Sequence, residues 1–232
     1  MLNISQINIW YKPEKNIIKS TNLSIDENTV VGLLGINGAG KSTLINTISD
    51  VHEKYTADKI DFRGKSARFS DESFKLNRYT VFTDEQAFMY WTFGDYLAFI
   101  SKAYQRKPDE SYVEYLISGF NFNEYKKHEL KDLSTGNKKK VFLITGFALR
   151  LPLLILDEPL DGLDFKSSEF LYEAINDYKK YGSILMSSHI AESFEKTCDY
   201  VLLLSNGKIQ QEKMEKGIDI RAQLEVWLDE QS

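Results

Sequence analysis

Hydrophobic and polar positions change period several times along the chain. Leu2, Ile4, Ile7 and Ile9 alternate closely enough to predict a strand over 2–11. Ile17-Ile18 and Leu23-Ser24-Ile25 predict two further short strands, and Val30-Val31-Gly32-Leu33-Leu34 a buried one. Strands are also expected at 60–62, 67–69 and 79–82, separated by turn chemistry at Arg63-Gly64-Lys65. The pattern then becomes helical. Phe93, Tyr96, Leu97, Ile100 and Tyr104 share one stripe. A second helix, with Tyr112, Tyr115, Leu116 and Gly119, should follow Pro108-Asp109-Glu110, and a third should start after Ser134 and carry Val141, Phe142, Ile144 and Thr145. Leu153-Leu154-Ile155-Leu156 is a continuous apolar run, the mark of a parallel strand buried on both faces. An amphipathic helix with Phe170, Leu171, Ala174, Ile175 and Tyr178 comes next, ending near Gly182. Ile184-Leu185-Met186 is another buried strand, 190–196 a short helix, and 200–204 a strand. Asn206-Gly207 turns the chain into Lys208-Ile209, and the tail over 212–232 is polar with weak helical spacing.

This order is a β-rich start, a helical stretch, then alternating strands and helices. It predicts an α/β fold in which helices cover both faces of a parallel sheet. We read 1–232 as a single domain, with a helical subdomain inserted over about residues 84–150.

Of the 232 residues, 42% are hydrophobic and 27% charged, enough for a well-formed core. The net charge of −5 argues against broad, salt-driven nucleic-acid binding. The single cysteine, Cys198, excludes an internal disulfide and fits a reducing, cytosolic setting. The N-terminus shows neither a basic nor an apolar leader region. The most apolar stretch, 142–156, is broken by Gly146, Arg150 and Pro152 and is too short to span a bilayer. Any membrane role must therefore come through a partner.

Candidate chemistry begins at Gly35-Ile36-Asn37-Gly38-Ala39-Gly40-Lys41-Ser42-Thr43, which matches G-x-x-x-x-G-K-[ST] between a predicted strand and a predicted helix. The glycines let backbone N–H groups turn inward into an anion nest, and the helix N-terminus adds positive potential. Gly35, Asn37, Gly38, Ala39, Gly40, Lys41, Ser42 and Thr43 are thus the candidate phosphate contacts. Lys41 would reach the outer phosphates, and the Ser42 hydroxyl would hold a magnesium ion. The loop implies nucleoside-triphosphate binding but does not choose among kinases, GTPases and motor ATPases. No N-K-x-D motif for guanine is present. Downstream, Asp157-Glu158 ends a buried strand, where open α/β sheets place their chemistry. Asp157 would hold magnesium, and Glu158 would polarise a water for attack.

Leu133-Ser134-Thr135-Gly136-Asn137 narrows the choice. Ser134 is a good helix N-cap, with backbone amides just beyond it. Here the sequence resembles the ATPase subunit of ABC transporters, whose signature is written LSGGQ, and the resemblance covers nearly the whole chain. Asp157 and Glu158 match the family's Walker B aspartate and catalytic glutamate, Asp161-Gly162-Leu163-Asp164 its D-loop, and Ser187-Ser188-His189 its switch-histidine motif. The resemblance implies a P-loop NTPase (RecA-like) core with an N-terminal antiparallel β subdomain and an inserted helical subdomain. It implies ATP and Mg2+ as cofactors, with two ATP molecules buried in a homo- or heterodimer. One copy would supply 35–43, and the other Ser134 and Gly136. It further implies His189 at the γ-phosphate, an aromatic stacked on adenine, for which Tyr11 is favoured over its neighbour Trp10 on the opposite strand face, and an integral membrane subunit that recruits the chain to the cytoplasmic face of the membrane. The chain is expected to carry no regulatory domain beyond the ATPase core, which by analogy favours an exporter.

The sequence departs from that family in places. Thr135 and Asn137 replace a signature glycine and the glutamine, and Asp161 stands where a small neutral residue is common. The glutamine expected after the strand before the helical insert falls at Thr83, leaving Glu85, for metal, and Gln86, for nucleotide, as candidates. Lys138-Lys139-Lys140 opposes the helix dipole and reads either as a solvated basic face or as part of the field on ATP. Phe88-Met89-Tyr90-Trp91 is either core packing or a groove for a helix of the membrane partner. A soluble ABC ATPase outside transport, or a weakly active partner in a heterodimer, stays open as an alternative.

Overall fold

The computed structural model describes residues 1–12, 14–83 and 86–214. The chain opens with two long antiparallel strands, β1 (Leu2–Lys12) and β2 (Lys15–Ile25). With β4 (Tyr55–Thr56), β5 (Lys59–Phe62) and β6 (Lys65–Ser66) they form an antiparallel sheet. The pattern suggested two short strands where β2 runs unbroken. The reason lies in its register against β1, which shifts between Ile4 and Ile7 and again between Ile7 and Ile9, with Ser20 at φ 43°. Bulges of this kind break the alternation that a strand is recognised by. The strand expected at 67–69 is absent: Phe69 lies in a turn, fully buried, packed against Phe74 of the short helix α2 (Glu72–Lys75). Arg78 closes that turn by donating to Phe69 O at 3.0 Å.

The second sheet has the order β11-β10-β3-β9-β8-β7. Its strands are β3 (Val30–Leu34), β7 (Arg78–Val81), β8 (Leu153–Leu156), β9 (Ser183–Ser187), β10 (Tyr200–Ser205) and β11 (Lys208–Lys213). All neighbours are parallel except the terminal pair β10 and β11, joined through Asn206-Gly207. Side chains alternate between its two faces. Val31, Leu33, Ile155, Leu185 and Leu202 point into a core shared with the antiparallel sheet and with Leu44, Ile45 and Ile48 of α1 (Lys41–Ile48). Val30, Leu34, Leu154, Leu156, Ile184 and Met186 point into the opposite core. That core holds α3 (Phe93–Ala103), α4 (Glu110–Gly119), α5 (Thr135–Leu149), α6 (Phe165–Tyr178) and α7 (Ala191–Thr197).

The helical stretch between β7 and β8 is built with clear end signals. Thr92 and Asp95 make a reciprocal capping box on α3, Asp109 caps α4, and Ser134 caps α5. Nearly every residue of α5 from Lys139 onward is buried, so it is a core helix rather than an amphipathic one. Cys198 ends α7, half-buried. Among the described residues no helix is long and apolar enough to cross a membrane. The tail from 215 onward lies outside the described residues.

Candidate active site

Strand register gathers the functional loops on one edge. Leu33 pairs with Ser187, Met186 with Leu156, and Leu156 with Val81. The segments that follow β3, β9, β8 and β7 therefore leave the carboxyl ends of four adjacent parallel strands, the usual place for ligands in an open α/β sheet.

After β3 the chain runs through Gly35, Asn37, Gly38 and Ala39 to Gly40, whose φ of 111° makes it the left-handed N-cap of α1. A Cβ there would also lie 2.7 Å from Ile17 Cγ2, so only glycine fits on both counts. Among the described residues no side chain caps α1, which leaves its first-turn amides facing the loop. Lys41 folds back over the loop, its ammonium donating to Gly35 O at 2.8 Å and Ile36 O at 3.4 Å. Ser42 is exposed at the first turn, and Thr43 is buried. Thr43 Oγ1 lies 3.2 Å from the Tyr11 hydroxyl, so Tyr11, half exposed at the end of β1, leans over the start of α1. Its ring meets His52 edge-on at 4.7 Å.

Asp157 is buried directly beyond β8, where its Oδ1 accepts from Ser187 Oγ at 2.6 Å. The same Ser187 oxygen accepts the Glu158 N–H at 2.9 Å. One hydroxyl of β9 thus ties the Asp157 carboxylate to the main chain of Glu158, just beyond β8. Glu158 has φ 46°, a conformation uncommon and costly for a residue with a Cβ. Its Oε2 lies 2.9 Å from His189 Nδ1 and accepts the His189 main-chain N–H at 3.1 Å. Asp161 Oδ1 approaches the same Nδ1 at 3.9 Å, so His189 lies between two carboxylates. Thr83 donates from its hydroxyl to Asp157 O at 3.3 Å. Gln86 is exposed beside Thr83, both lining a small cavity against Thr135 and Lys138. Glu85 lies outside the described residues.

The first turn of α5 packs on the segment after Glu158. Ser134 Oγ accepts from Asn137 N at 3.3 Å, and Gly136 is pressed against Gly162, where a Cβ would meet Gly162 O at 2.0 Å. The three lysines that follow do not form a solvated face. Lys140 is buried and donates to Asp164 Oδ2 at 2.7 Å, while Asp164 caps α6 through Ser167 N. The Lys140 ammonium, reinforced by Ser167, holds the Asp164 carboxyl well below the usual carboxylate range despite some desolvation. Lys139 is buried among backbone carbonyls, and Lys138 is half-buried.

Sequence reasoning brought Asp157, Glu158 and His189 to one place but gave Ser187 no role of its own. It also missed the Lys140–Asp164 pair. The order β3-β9-β8, which brings Ser187 against the Asp157 carboxylate and the Glu158 main chain, was the missing information.

Such a fold and site define an ATP-binding α/β protein with a phosphate loop and a strand-end carboxylate pair. The ABC transporter family model matches residues 18–161, more than half of the chain. The chain is 36% identical over 215 residues to the putative ABC transporter ATP-binding protein AlbC of Bacillus subtilis, covering 90% of each chain. It is 31% identical over 199 residues to the ABC-type transporter ATP-binding protein EcsA of the same organism, covering 84% of this chain and 79% of that one. A solved ATP-binding subunit of an ABC transporter superimposes with a TM-score of 0.86 at 26% identity, covering 99% of both chains. The chain belongs to the ABC transporter family, as an ATP-binding subunit with ATPase activity.

Proposed function

We propose that the chain pairs with a second ABC ATPase subunit around two ATP molecules, and that closure and hydrolysis drive a separate membrane subunit, in an exporter. The observation that carries the reading is the network Asp157–Ser187–Glu158–His189 set beside the glycine loop on one sheet edge. Within it Lys41 and the amides of 35–43 bind the phosphates, Tyr11 supports the adenine, and Glu158 takes the proton of the attacking water. His189 orients the γ-phosphate end. Ser134 and Gly136 complete the partner's site, with Gln86 near the same nucleotide. The oxygen donors available, the Ser42 hydroxyl and the Asp157 carboxylate, suit a hard cation such as Mg2+. When bound, that ion neutralises charge developing on the phosphates. Glu85 is retained as a third candidate ligand.

Docking to the membrane subunit is supported by an aromatic patch on the helical insert. Phe88, Trp91 and Phe99 contact one another at 4.7 to 5.6 Å between ring centroids, and Tyr90 stands 75% exposed beside them. Docking there would hold the chain at the cytoplasmic face of the membrane. A second reading, a weakly active member of a heterodimer, is favoured by Asp161 so near His189. Phosphate release by the chain alone and mixed with partner subunits separates the two.

The central test is Glu158→Gln. Turnover should fall at least about 100-fold, the lower range for a general base, while MgATP still binds and an ATP-dependent dimer accumulates on size exclusion. Unchanged steady-state hydrolysis would remove Glu158 from its role.

A further inference from the structure

Lys139 is 3% exposed, although it follows directly on the polar first turn of α5. Its ammonium lies within donor distance of three main-chain carbonyls: Thr83 O at 3.2 Å, Glu158 O at 3.3 Å and Phe82 O at 3.4 Å. Two of these belong to the segment by which the chain leaves β7 for the helical insert. The third is the carbonyl of the strained residue that carries the catalytic carboxylate.

Glu158 is thereby held from both sides. Its N–H is taken by Ser187 at 2.9 Å and its C=O by Lys139. A side chain leaves its Cα in a direction set by the backbone, so the two ties together aim the carboxylate at His189. The φ of 46° would relax if either were lost. Thr83 shares the arrangement, since its carbonyl accepts from Lys139 and its hydroxyl donates to Asp157 O. A cavity of about 70 Å³ lies where α5 faces that segment, lined by Phe82, Thr83, Gln86, Thr135, Lys138 and Phe142.

We propose that Lys139 is a positioning residue for hydrolysis. It makes the aim of Glu158 depend on where α5 lies against the parallel sheet, so that displacement of the helical insert switches cleavage without releasing bound nucleotide. The proposal rests on Glu158 as the base. Lys140 does not share the role, because its ammonium bonds Asp164.

The test is Lys139→Met, which keeps the apolar stem and removes the donors, with Lys139→Arg as the conservative variant. MgATP is the probe, followed by calorimetric binding and by phosphate release under multiple and single turnover. The loss of charge-assisted bonds predicts a kcat lower by about 10- to 100-fold in Lys139→Met, ATP affinity within about twofold, and at least partial recovery in Lys139→Arg. In the Glu158→Gln background the same Lys139→Met change should cost less than about twofold, because residues acting through one another are not additive. An equal fractional loss in both backgrounds, or weakened ATP binding with kcat unchanged, would overturn the proposal. If Lys139→Met fails to fold, Lys139→Gln carries the same comparison. Full activity in Glu158→Gln alone would defeat the base assignment and this proposal with it. An inactive Glu158→Gln with a silent Lys139→Met would defeat the positioning role alone.

Discussion

Replacing Gly136 by alanine would place a methyl group where the carbonyl oxygen of Gly162 already stands. A Cβ built on Gly136 lies 2.0 Å from that oxygen, against a practical minimum of 3.0 Å, so about 1.0 Å (3.0 − 2.0) of movement is required. No flexible side chain is present to yield. Gly162 is backbone in a turn at φ 78°, and Gly136 is backbone in the first turn of α5. Overpacking of this kind costs about 1–3 kcal/mol, offset by about 1 kcal/mol from the better helix propensity of alanine. Stability should therefore fall by no more than about 2 kcal/mol, or roughly 4–8 °C in melting temperature for a chain of this size. The larger effect should fall on catalysis. The moving parts carry Ser134 on one side and 161–164 on the other, and a displacement of about 1 Å at such groups can cost on the order of 100-fold in rate. Gly94→Ala is the matched control: it lies in the first turn of α3, and its nearest neighbour would be Thr92 Oγ1 at 3.8 Å. That variant should gain up to about 1 kcal/mol with activity unchanged. Steady-state phosphate release and thermal melts of both proteins decide the matter. If Gly136→Ala hydrolyses ATP within twofold of the parent, the two backbones are not in rigid contact and the reasoning is wrong.

Two other outcomes follow from the same geometry. Ser187→Ala removes the hydroxyl shared by Asp157 and Glu158, a loss worth about 1.5–3 kcal/mol for bonds to a charged group; kcat/KM for MgATP should drop about 10- to 100-fold, with more magnesium needed for half-maximal rate in a titration. Asp164→Asn weakens the bond from buried Lys140, and because the native carboxyl titrates well below its unfolded value of about 3.9, the contribution is complete above that pH and is lost as the pH falls through the depressed native value. The stability gap between parent and variant, read from urea melts, should stay constant from neutral pH to about 5 and narrow in stronger acid; a gap that widens below pH 4 would contradict the assignment.

Legibility followed burial and locality. β3, β8, β9 and β10 were readable because burial on both faces leaves uninterrupted apolar runs such as Leu153–Leu156. The bulged β2 was read as two pieces, and the buried Phe69 was mistaken for part of a strand when it anchors a turn. Within the site, contiguous motifs could be read directly, since the glycine loop carries its own geometry. Contacts between segments could not. The bridge from Ser187 to Asp157 and Glu158 depends on β9 lying between β3 and β8. The burial of Lys139 and Lys140 depends on which carbonyls and which carboxylate the fold brings to meet them, and a run of three lysines gives no local hint of that.

The all-round burial of α5 has a mechanical corollary. Its fifteen residues span about 22 Å at 1.5 Å per residue. They are gripped along most of that length by both the sheet and the other helices, so the element has few ways to flex. Ser134 stands at one tip, and at the other Arg150 is sandwiched between the rings of Tyr112 and Tyr181 at 4.1 and 4.3 Å. A pull on the serine tip therefore arrives at the tyrosine clamp as a tilt of the whole rod, carrying a disturbance at Ser134 the full length of the helix to Arg150.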